Sequence, residues 1–186
     1  MTMLIGGLLL FSAVHLLPAA MPQMRERMVE RLGSNPYRGL FSLIIVASLV
    51  LVVFGWKAAS PAAVYAPPLQ AGPLVSALVF LAFVLFVAAQ SKTNVRRLVR
   101  HPQMAATLLW SVAHLLANGD SRSIALFGIL GAWAIIEVIL CNRRDGAWEK
   151  PEPVARSLDV VTLAIAAAGF ALVWYFHTAL FGVSPS

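Results

Sequence analysis

The chain alternates between long apolar blocks and short polar segments. Six apolar blocks lie at about residues 3–20, 40–56, 74–89, 102–118, 124–141 and 158–181. Each is close to the roughly 20 residues that an α-helix needs to cross the hydrocarbon core of a bilayer. A backbone in lipid must satisfy its own hydrogen bonds, which favours helices for such blocks. The pattern predicts an all-α, polytopic membrane protein, with six transmembrane helices in one bundle and a single domain over residues 1–186.

A short amphipathic pattern follows the first block. Met24, Met28 and Leu32 recur at every fourth residue among arginines and glutamates, which predicts a helix on the membrane surface. The run from Gly33 to Pro36 should end it. The first block differs from a cleaved signal peptide, because no positive charge precedes it and the arginines follow it. We therefore expect a retained first helix.

Basic residues concentrate in every second connection. The connections after the first, third and fifth helices hold four each, namely Arg25, Arg27, Arg31 and Arg38; Lys92, Arg96, Arg97 and Arg100; and Arg143, Arg144, Lys150 and Arg156. The connections after the second and fourth helices hold almost none. Because positively charged loops stay on the cytoplasmic side, we expect these three connections in the cytoplasm and both termini outside.

Composition supports the membrane class and limits the chemistry. The chain is 60% hydrophobic and 12% charged, whereas a soluble domain is about a quarter charged. The net charge of +6 does not indicate nucleic-acid binding, since the basic residues flank apolar blocks and can meet anionic lipid. A single cysteine, Cys141, excludes an internal disulfide and a multi-cysteine metal site. We see no internal repeat and no Gly-rich phosphate loop.

The fourth predicted helix carries a polar stripe. Its members are spaced by four, three and four residues, which places them on one helical face: Thr107, Ser111, His114 and Asn118. Polar groups inside an apolar helix should face protein or a bound group rather than lipid.

His15 and His114 lie well inside apolar blocks on two different helices. An imidazole in lipid needs partners for both its N–H and its lone pair. Two such side chains could ligate one iron from opposite faces, because imidazole is a common axial ligand of haem. Alternatively, each histidine only hydrogen-bonds a neighbouring helix.

Several other polar groups have two interpretations each. His101, with Arg97 and Arg100, could hold the propionates of a haem or form a solvated anchor at the membrane surface. Glu137 is a candidate functional acid inside a helix, or it reaches Arg143 or Arg144. We expect an interfacial His177 and an unreactive Cys141, and we expect packing roles for Trp110 and Trp133.

Several short runs, taken together, resemble the NnrU family of bacterial inner-membrane proteins. They are Val14-His15-Leu16, Arg31-Leu32-Gly33, the run from Tyr37 to Leu43, Arg100-His101-Pro102, and the run from Ala113 to Gly119. They cover the first five helices. The resemblance implies a multi-pass protein of the bacterial inner membrane that supports expression of nitrite and nitric oxide reductases in denitrification. With the charge pattern, this places both termini in the periplasm.

A related family, the 15-cis-zeta-carotene isomerases, holds haem b between two histidines and isomerises a double bond without net redox change. Its ligands are similar in position to His15 and His114, so the resemblance implies haem b and these two metal ligands here. The isomerases have a cysteine where this chain has Ser111, which cannot supply a soft thiolate. Two haem-dependent functions agree with the resemblance: an isomerase of a lipophilic polyene, or a protein that responds to a small gas such as nitric oxide. The alternative is a haem-free scaffold or assembly factor. Oligomeric state is not predicted.

Overall fold

The computed structural model describes residues 1–68 and 71–183, and these form seven α-helices and one short 3₁₀ helix. Part of the predicted connection after the second apolar block, residues 69–70, lies outside the described residues. The helices are α1 (Thr2–Ala20), α2 (Pro22–Leu32), α3 (Ser34–Ala58), α4 (Gly72–Gln90), α5 (Pro102–Ala117), α6 (Ser121–Asp145) and α7 (Arg156–Phe181), with the 3₁₀ helix at Asn94–Arg97. The predicted all-α fold is confirmed.

Five of the described helices, α1, α3, α4, α6 and α7, are long and apolar enough to cross a membrane. The fourth predicted span is α5, which has 16 residues. At 1.5 Å per residue it is about 24 Å long, shorter than the ~30 Å hydrocarbon core. The membrane class is confirmed. Five of the six predicted spans are long enough to cross a membrane, and the crossing by α5 stays a prediction.

The surface helix predicted after the first block is α2, and it has no buried residue. The helix ends at Gly33, as predicted. Gly33 has a backbone φ of +86°, which is not helical and which residues other than glycine rarely adopt. Helix α3 then begins at Ser34, about six residues earlier than the apolar block suggested. Pro36 does not prevent this start, since it lies in the first turn, where its missing N–H has no helical partner.

Residues 1–65 and 119–146 form one compact unit, here called unit 1. In it, α1 packs against both α3 and α6. The connection after α3 is joined to the start of α6: the backbone N–H groups of Val64 and Tyr65 donate to the Gly119 carbonyl at 2.8 and 3.1 Å, and that of Ser121 donates to Ala62 at 2.8 Å. The end of α3 and the start of α6 therefore lie at the same end of unit 1.

The remaining described residues form unit 2, in which α4 packs against both α5 and α7. Ala82 and Leu85 of α4 meet Ala106 of α5 in a small core. The connection after α4 is joined to the start of α7, because Thr93 Oγ1 donates to Asp159 Oδ1 at 2.6 Å and Asn94 Nδ2 donates to Asp159 Oδ2 at 2.7 Å. These connections were predicted to share one side of the membrane, and the hydrogen bonds agree with that arrangement.

Candidate histidine sites

His15 lies on α1, one turn after Phe11. Its Nδ1 is 2.9 Å from the Phe11 carbonyl oxygen. A carbonyl can only accept, so Nδ1 carries the hydrogen of this bond, and Nε2 carries the lone pair of the neutral ring. Helix geometry fixes this arrangement, since residues four apart lie on the same face.

Aromatic rings from three helices surround His15. Its ring centroid lies 4.1 Å from Phe11 of α1, 5.6 Å from Phe41 of α3 and 5.4 Å from Trp133 of α6. Trp133 also packs edge-on against Phe11 at 5.4 Å. The packing role expected for Trp133 is thus observed, and its partner is the candidate ligand itself.

His114 lies near the end of α5 in unit 2, one turn after Trp110. Its Nδ1 is 2.8 Å from the Trp110 carbonyl oxygen, and the two rings are 5.0 Å apart. By the same argument, Nδ1 carries the hydrogen and Nε2 carries the lone pair. Asn118, the last residue of the predicted polar stripe, donates from Nδ2 to the His114 carbonyl at 2.9 Å and so helps to end α5.

The two histidines share a local sequence, which we call the histidine module. It reads Phe11-Ser12-Ala13-Val14-His15 in α1 and Trp110-Ser111-Val112-Ala113-His114 in α5. The two runs share an aromatic residue, a serine and the histidine at the same spacing, and they are too short to count as an internal repeat. Both serines are buried, with 7% and 1% exposure, and neither Oγ has a partner among the described residues.

The other members of the polar stripe are satisfied differently. Thr107 Oγ1 donates to the Gln103 carbonyl at 3.0 Å, within α5. Ser111 is the buried member, and Thr107, His114 and Asn118 are half-buried. The stripe therefore does not have one uniform environment, and Ser111 and His114 form its candidate functional part.

The predicted basic cluster lies at the other end of α5 from His114. Arg97 ends the 3₁₀ helix, and Arg100 and His101 immediately precede Pro102, the first residue of α5. His101 is 13 positions before His114 (114 − 101), which corresponds to about 20 Å along the helix. The structure thus places Arg97, Arg100 and His101 together, and it separates them from His114. His15 belongs to unit 1.

The remaining polar candidates have partners close to them in the sequence. Glu137 Oε1 accepts from the Cys141 thiol at 3.5 Å, one turn later on α6. Arg144, one expected partner of Glu137, pairs instead with Asp145 at 2.7 Å. His177 lies near the end of α7, with Nδ1 2.7 Å from the Val183 carbonyl oxygen.

Residues 1–68 and 71–183 contain no group of three or more His, Cys, Asp or Glu side chains that could hold a metal ion. Metal binding by a site of that kind is therefore not supported in this part of the chain. Ligation of haem iron needs fewer protein ligands, because the macrocycle supplies four of its own, so this finding leaves the two histidine modules as candidates.

These features define a class: a helical, multi-pass membrane protein in which α1 and α5 each carry a candidate ligand histidine. The chain belongs to the NnrU family, since a comparison with protein families matches residues 3–185 to the family described as NnrU protein. The family membership predicted from short runs in the first five helices is confirmed and extends over the sixth predicted span. Searches of curated proteins and of solved structures found no match.

Proposed function

We propose that this NnrU-family protein binds haem b, with His15 and His114 as the axial ligands. The observation that carries the proposal is the hydrogen bond that each imidazole makes through Nδ1, which leaves Nε2 available for a metal. Each gives its Nδ1–H to a backbone carbonyl one turn earlier, at 2.9 and 2.8 Å. Histidines that bind metals usually donate their other ring N–H in this way, which fixes the tautomer and increases the basicity of the ligating nitrogen.

The surroundings of the histidines fit a flat apolar group with a metal at its centre. Phe11, Phe41 and Trp133 provide aromatic walls around His15, and Trp110 does so beside His114. Apolar walls with few polar groups are typical of cofactor pockets. A bound haem would supply the redox and ligand-binding chemistry of its iron, while the chain holds, orients and shields it.

Binding of the haem propionates by the basic cluster of Arg97, Arg100 and His101 is less well supported. Arginine pairs well with carboxylates, and the Arg97 Nε atom is buried without a hydrogen-bond partner among the described residues. The separation of about 20 Å between His101 and His114 along α5 weighs against contact with a group centred on His114. We therefore propose Arg97, Arg100 and His101 as anchors at the membrane surface, and a role in holding propionates is a prediction for mutagenesis.

Of the two haem-dependent functions, a response to a small gas such as nitric oxide is favoured over isomerisation of a lipophilic polyene. The observation behind this preference is Ser111, whose hydroxyl is buried three residues before His114. A hydroxyl cannot replace the soft thiolate of the related isomerases as an iron ligand. We place the protein in the bacterial inner membrane, with both termini periplasmic and a link to denitrification.

A visible spectrum of the purified protein tests haem binding. A Soret band, with the sharp α and β bands of a reduced low-spin haem, supports the proposal. Protein without these bands, after expression with ample haem supply, contradicts it and favours a haem-free scaffold or assembly factor for nitrite and nitric oxide reductases. Addition of nitric oxide to the reduced protein should then shift the Soret band if the gas-responsive function is correct.

A further inference from the structure

Five buried polar atoms of unit 1 have no hydrogen-bond partner among the described residues, and one of them, Arg122 Nε, lies 3.7 Å from the Asp120 carboxylate at the start of α6. The other four lie on three helices of the unit. They are Ser12 Oγ of α1, Tyr37 OH of α3, and Trp133 Nε1 and Glu137 Oε2 of α6. Ser12, Tyr37 and Trp133 are 7%, 8% and 7% exposed. Leaving such groups unsatisfied is costly, and internal water usually satisfies buried polar groups that protein atoms do not reach.

One of these four residues contacts the His15 imidazole, and the other three are connected to it through a neighbouring ring or a shared helical face. Trp133 contacts the imidazole directly, with ring centroids 5.4 Å apart. Phe41 joins Tyr37 to it, since Phe41 is 5.6 Å from His15 and 6.3 Å from Tyr37. Ser12 is three residues before His15, and Glu137 is four residues after Trp133, so each shares a helical face with its neighbour.

The order of the groups along the helices gives the site a direction. Helix α6 starts where α3 ends, so the end of α6 lies with the start of α3. Tyr37 is in the first turn of α3, and Glu137 is one turn closer than Trp133 to the end of α6. Both therefore lie between His15 and the end of unit 1 that carries Arg143 and Arg144.

Few titratable or charged groups share this path. On α1 the only one is His15. On α6 the thiol of Cys141 donates to Glu137, and Arg144 pairs with Asp145. The other elements that pack here, α2 and the start of α3, carry exposed charges at the same end: Arg25, Glu26, Arg27, Glu30, Arg31 and Arg38.

We infer that Ser12, Tyr37, Trp133 and Glu137 form a hydrated polar site beside the His15 imidazole, which internal water enters past Glu137. The ligand class is water, because the groups combine hydroxyl and indole donors with a carboxylate acceptor, and water can serve both. The site gives His15 access to aqueous solvent from the Arg143–Arg144 end of unit 1. It does not depend on haem, so its test is separate from that of the proposed function.

Exchange of the Trp133 indole proton with water tests the site. The chain has five tryptophans, and uniform labelling with ¹⁵N shows their indole signals together with those of the backbone amides. Trp133→Phe identifies the Trp133 signal. The purified protein is studied in lipid nanodiscs, and exchange is followed by NMR after transfer to D₂O. Helix content from circular dichroism confirms that each variant is folded.

We expect the Trp133 indole proton to exchange at least about tenfold faster than the slowest backbone amides of α1 and α6. Glu137→Leu should slow this exchange about tenfold or more, because an apolar side chain closes the entry, whereas Glu137→Gln should preserve it. Ser48→Ala is the control. Like Ser12, Ser48 is a buried serine of unit 1, but its hydroxyl already donates to the Ile45 carbonyl at 2.7 Å. It should not change the rate.

Two results would overturn the inference. A Trp133 proton in the parent protein that is as protected as the slowest amides means that no water reaches it. A rate that is the same in the parent and in Glu137→Leu means that water does not enter past Glu137. Tyr37→Phe is a second test variant. It removes one hydroxyl from the path, so it should slow exchange of the Trp133 indole proton without loss of helix content.

Discussion

The backbone of α3 at Gly55 touches the backbone of α1 at Leu4. A Cβ atom at position 55 would overlap the Leu4 nitrogen and lie 2.6 Å from the Leu4 Cα. At a second contact the glycine belongs to α1: a Cβ atom on Gly7 would lie 2.9 Å from the Ser48 carbonyl oxygen of α3. Small residues allow membrane helices to approach this closely. The helix that carries His15 is therefore fixed to α3 at two points.

Gly55→Ala should lower the thermal stability of the protein in detergent. The new methyl group would meet backbone atoms, which cannot move aside as a side chain can, and overpacking of this kind costs about 1–3 kcal/mol or more. The melting temperature can be followed by circular dichroism. Gly39→Ala is the control on the same helix, because nothing lies within 4 Å of a Cβ there. Equal melting temperatures for the two variants would contradict the close contact.

The helices could be predicted from the sequence because the apolar blocks and their polar ends are long and clear. How the helices pack could not be predicted, because both lipid-facing and protein-facing positions are apolar. Leu4 is 0% exposed and Leu43 is 65% exposed, yet nothing in hydropathy distinguishes them. The contact between Leu4 and Gly55 joins positions far apart in sequence, and only the glycine itself could have suggested it.

The candidate site shows the same division. His15 and His114 were predicted from their positions inside apolar blocks, and the Nδ1 bonds follow from helix geometry alone. Trp133 and Phe41 as the walls of His15 could not be predicted, because they come from other helices. The bounds of α5 were predicted to within one residue, since the helix ends at Ala117, and the bond from Asn118 Nδ2 to the His114 carbonyl follows it.

Asp120 should make the stability of the protein dependent on pH below its ordinary pKa of 3.8. Burial raises the pKa of this carboxyl, but hydrogen bonds from the Ser123 side chain and from the N–H groups of Ser123 and Arg122, with the Arg122 charge, outweigh burial and lower it. The stabilisation is therefore complete above the ordinary pKa and is lost as pH falls through the lower folded value.

Thermal unfolding at several pH values checks this. Asp120→Ala should cost about 1 kcal/mol at neutral pH, the usual effect of removing an N-cap. Asp120→Asn keeps a cap oxygen without the charge, so it should remove the share of the acid dependence that Asp120 contributes. An acid profile identical to that of the parent would show that Asp120 contributes none of it.

Asn94→Ala should destabilise the junction between α4 and α7. The Asn94 side chain donates to Asp159 Oδ2 at 2.7 Å and to the Val154 carbonyl at 2.9 Å, and it accepts from the Val154 N–H at 3.0 Å. Loss of these bonds leaves partly buried groups unpaired, at a cost of about 1–3 kcal/mol. Glu149→Gln, an exposed change in the same connection, should have no effect. Faster proteolysis of residues 147–155 in Asn94→Ala alone would support the expected loosening.

Reporter fusions should show whether the short helix α5 crosses the membrane. The basic connections and the two hydrogen-bonded junctions predict a cytoplasmic reporter after residue 92 or residue 146, and a periplasmic reporter after residue 119 and at both termini. Because α5 is about 24 Å long, local thinning of the bilayer would accommodate it. A reporter after residue 119 that is active only in the cytoplasm would reject the sixth crossing.

The pattern of histidine variants should identify the ligands of haem. His15→Ala and His114→Ala should each lower the haem content or convert the spectrum from low spin to high spin, because each would remove an axial ligand. His101→Ala should preserve the low-spin spectrum, since about 20 Å of helix separates it from His114. His177→Ala should have no effect, because its imidazole pairs with the Val183 carbonyl, just beyond the end of α7.

Haem content per chain and the reduced spectrum are measured for all four variants after equal expression. A low-spin spectrum that survives His114→Ala and disappears in His101→Ala would move the site to the beginning of α5 and reject the role of the second histidine module. If Ser111→Ala also leaves the spectrum unchanged while His114→Ala abolishes it, the imidazole of that module, and not its hydroxyl, holds the iron.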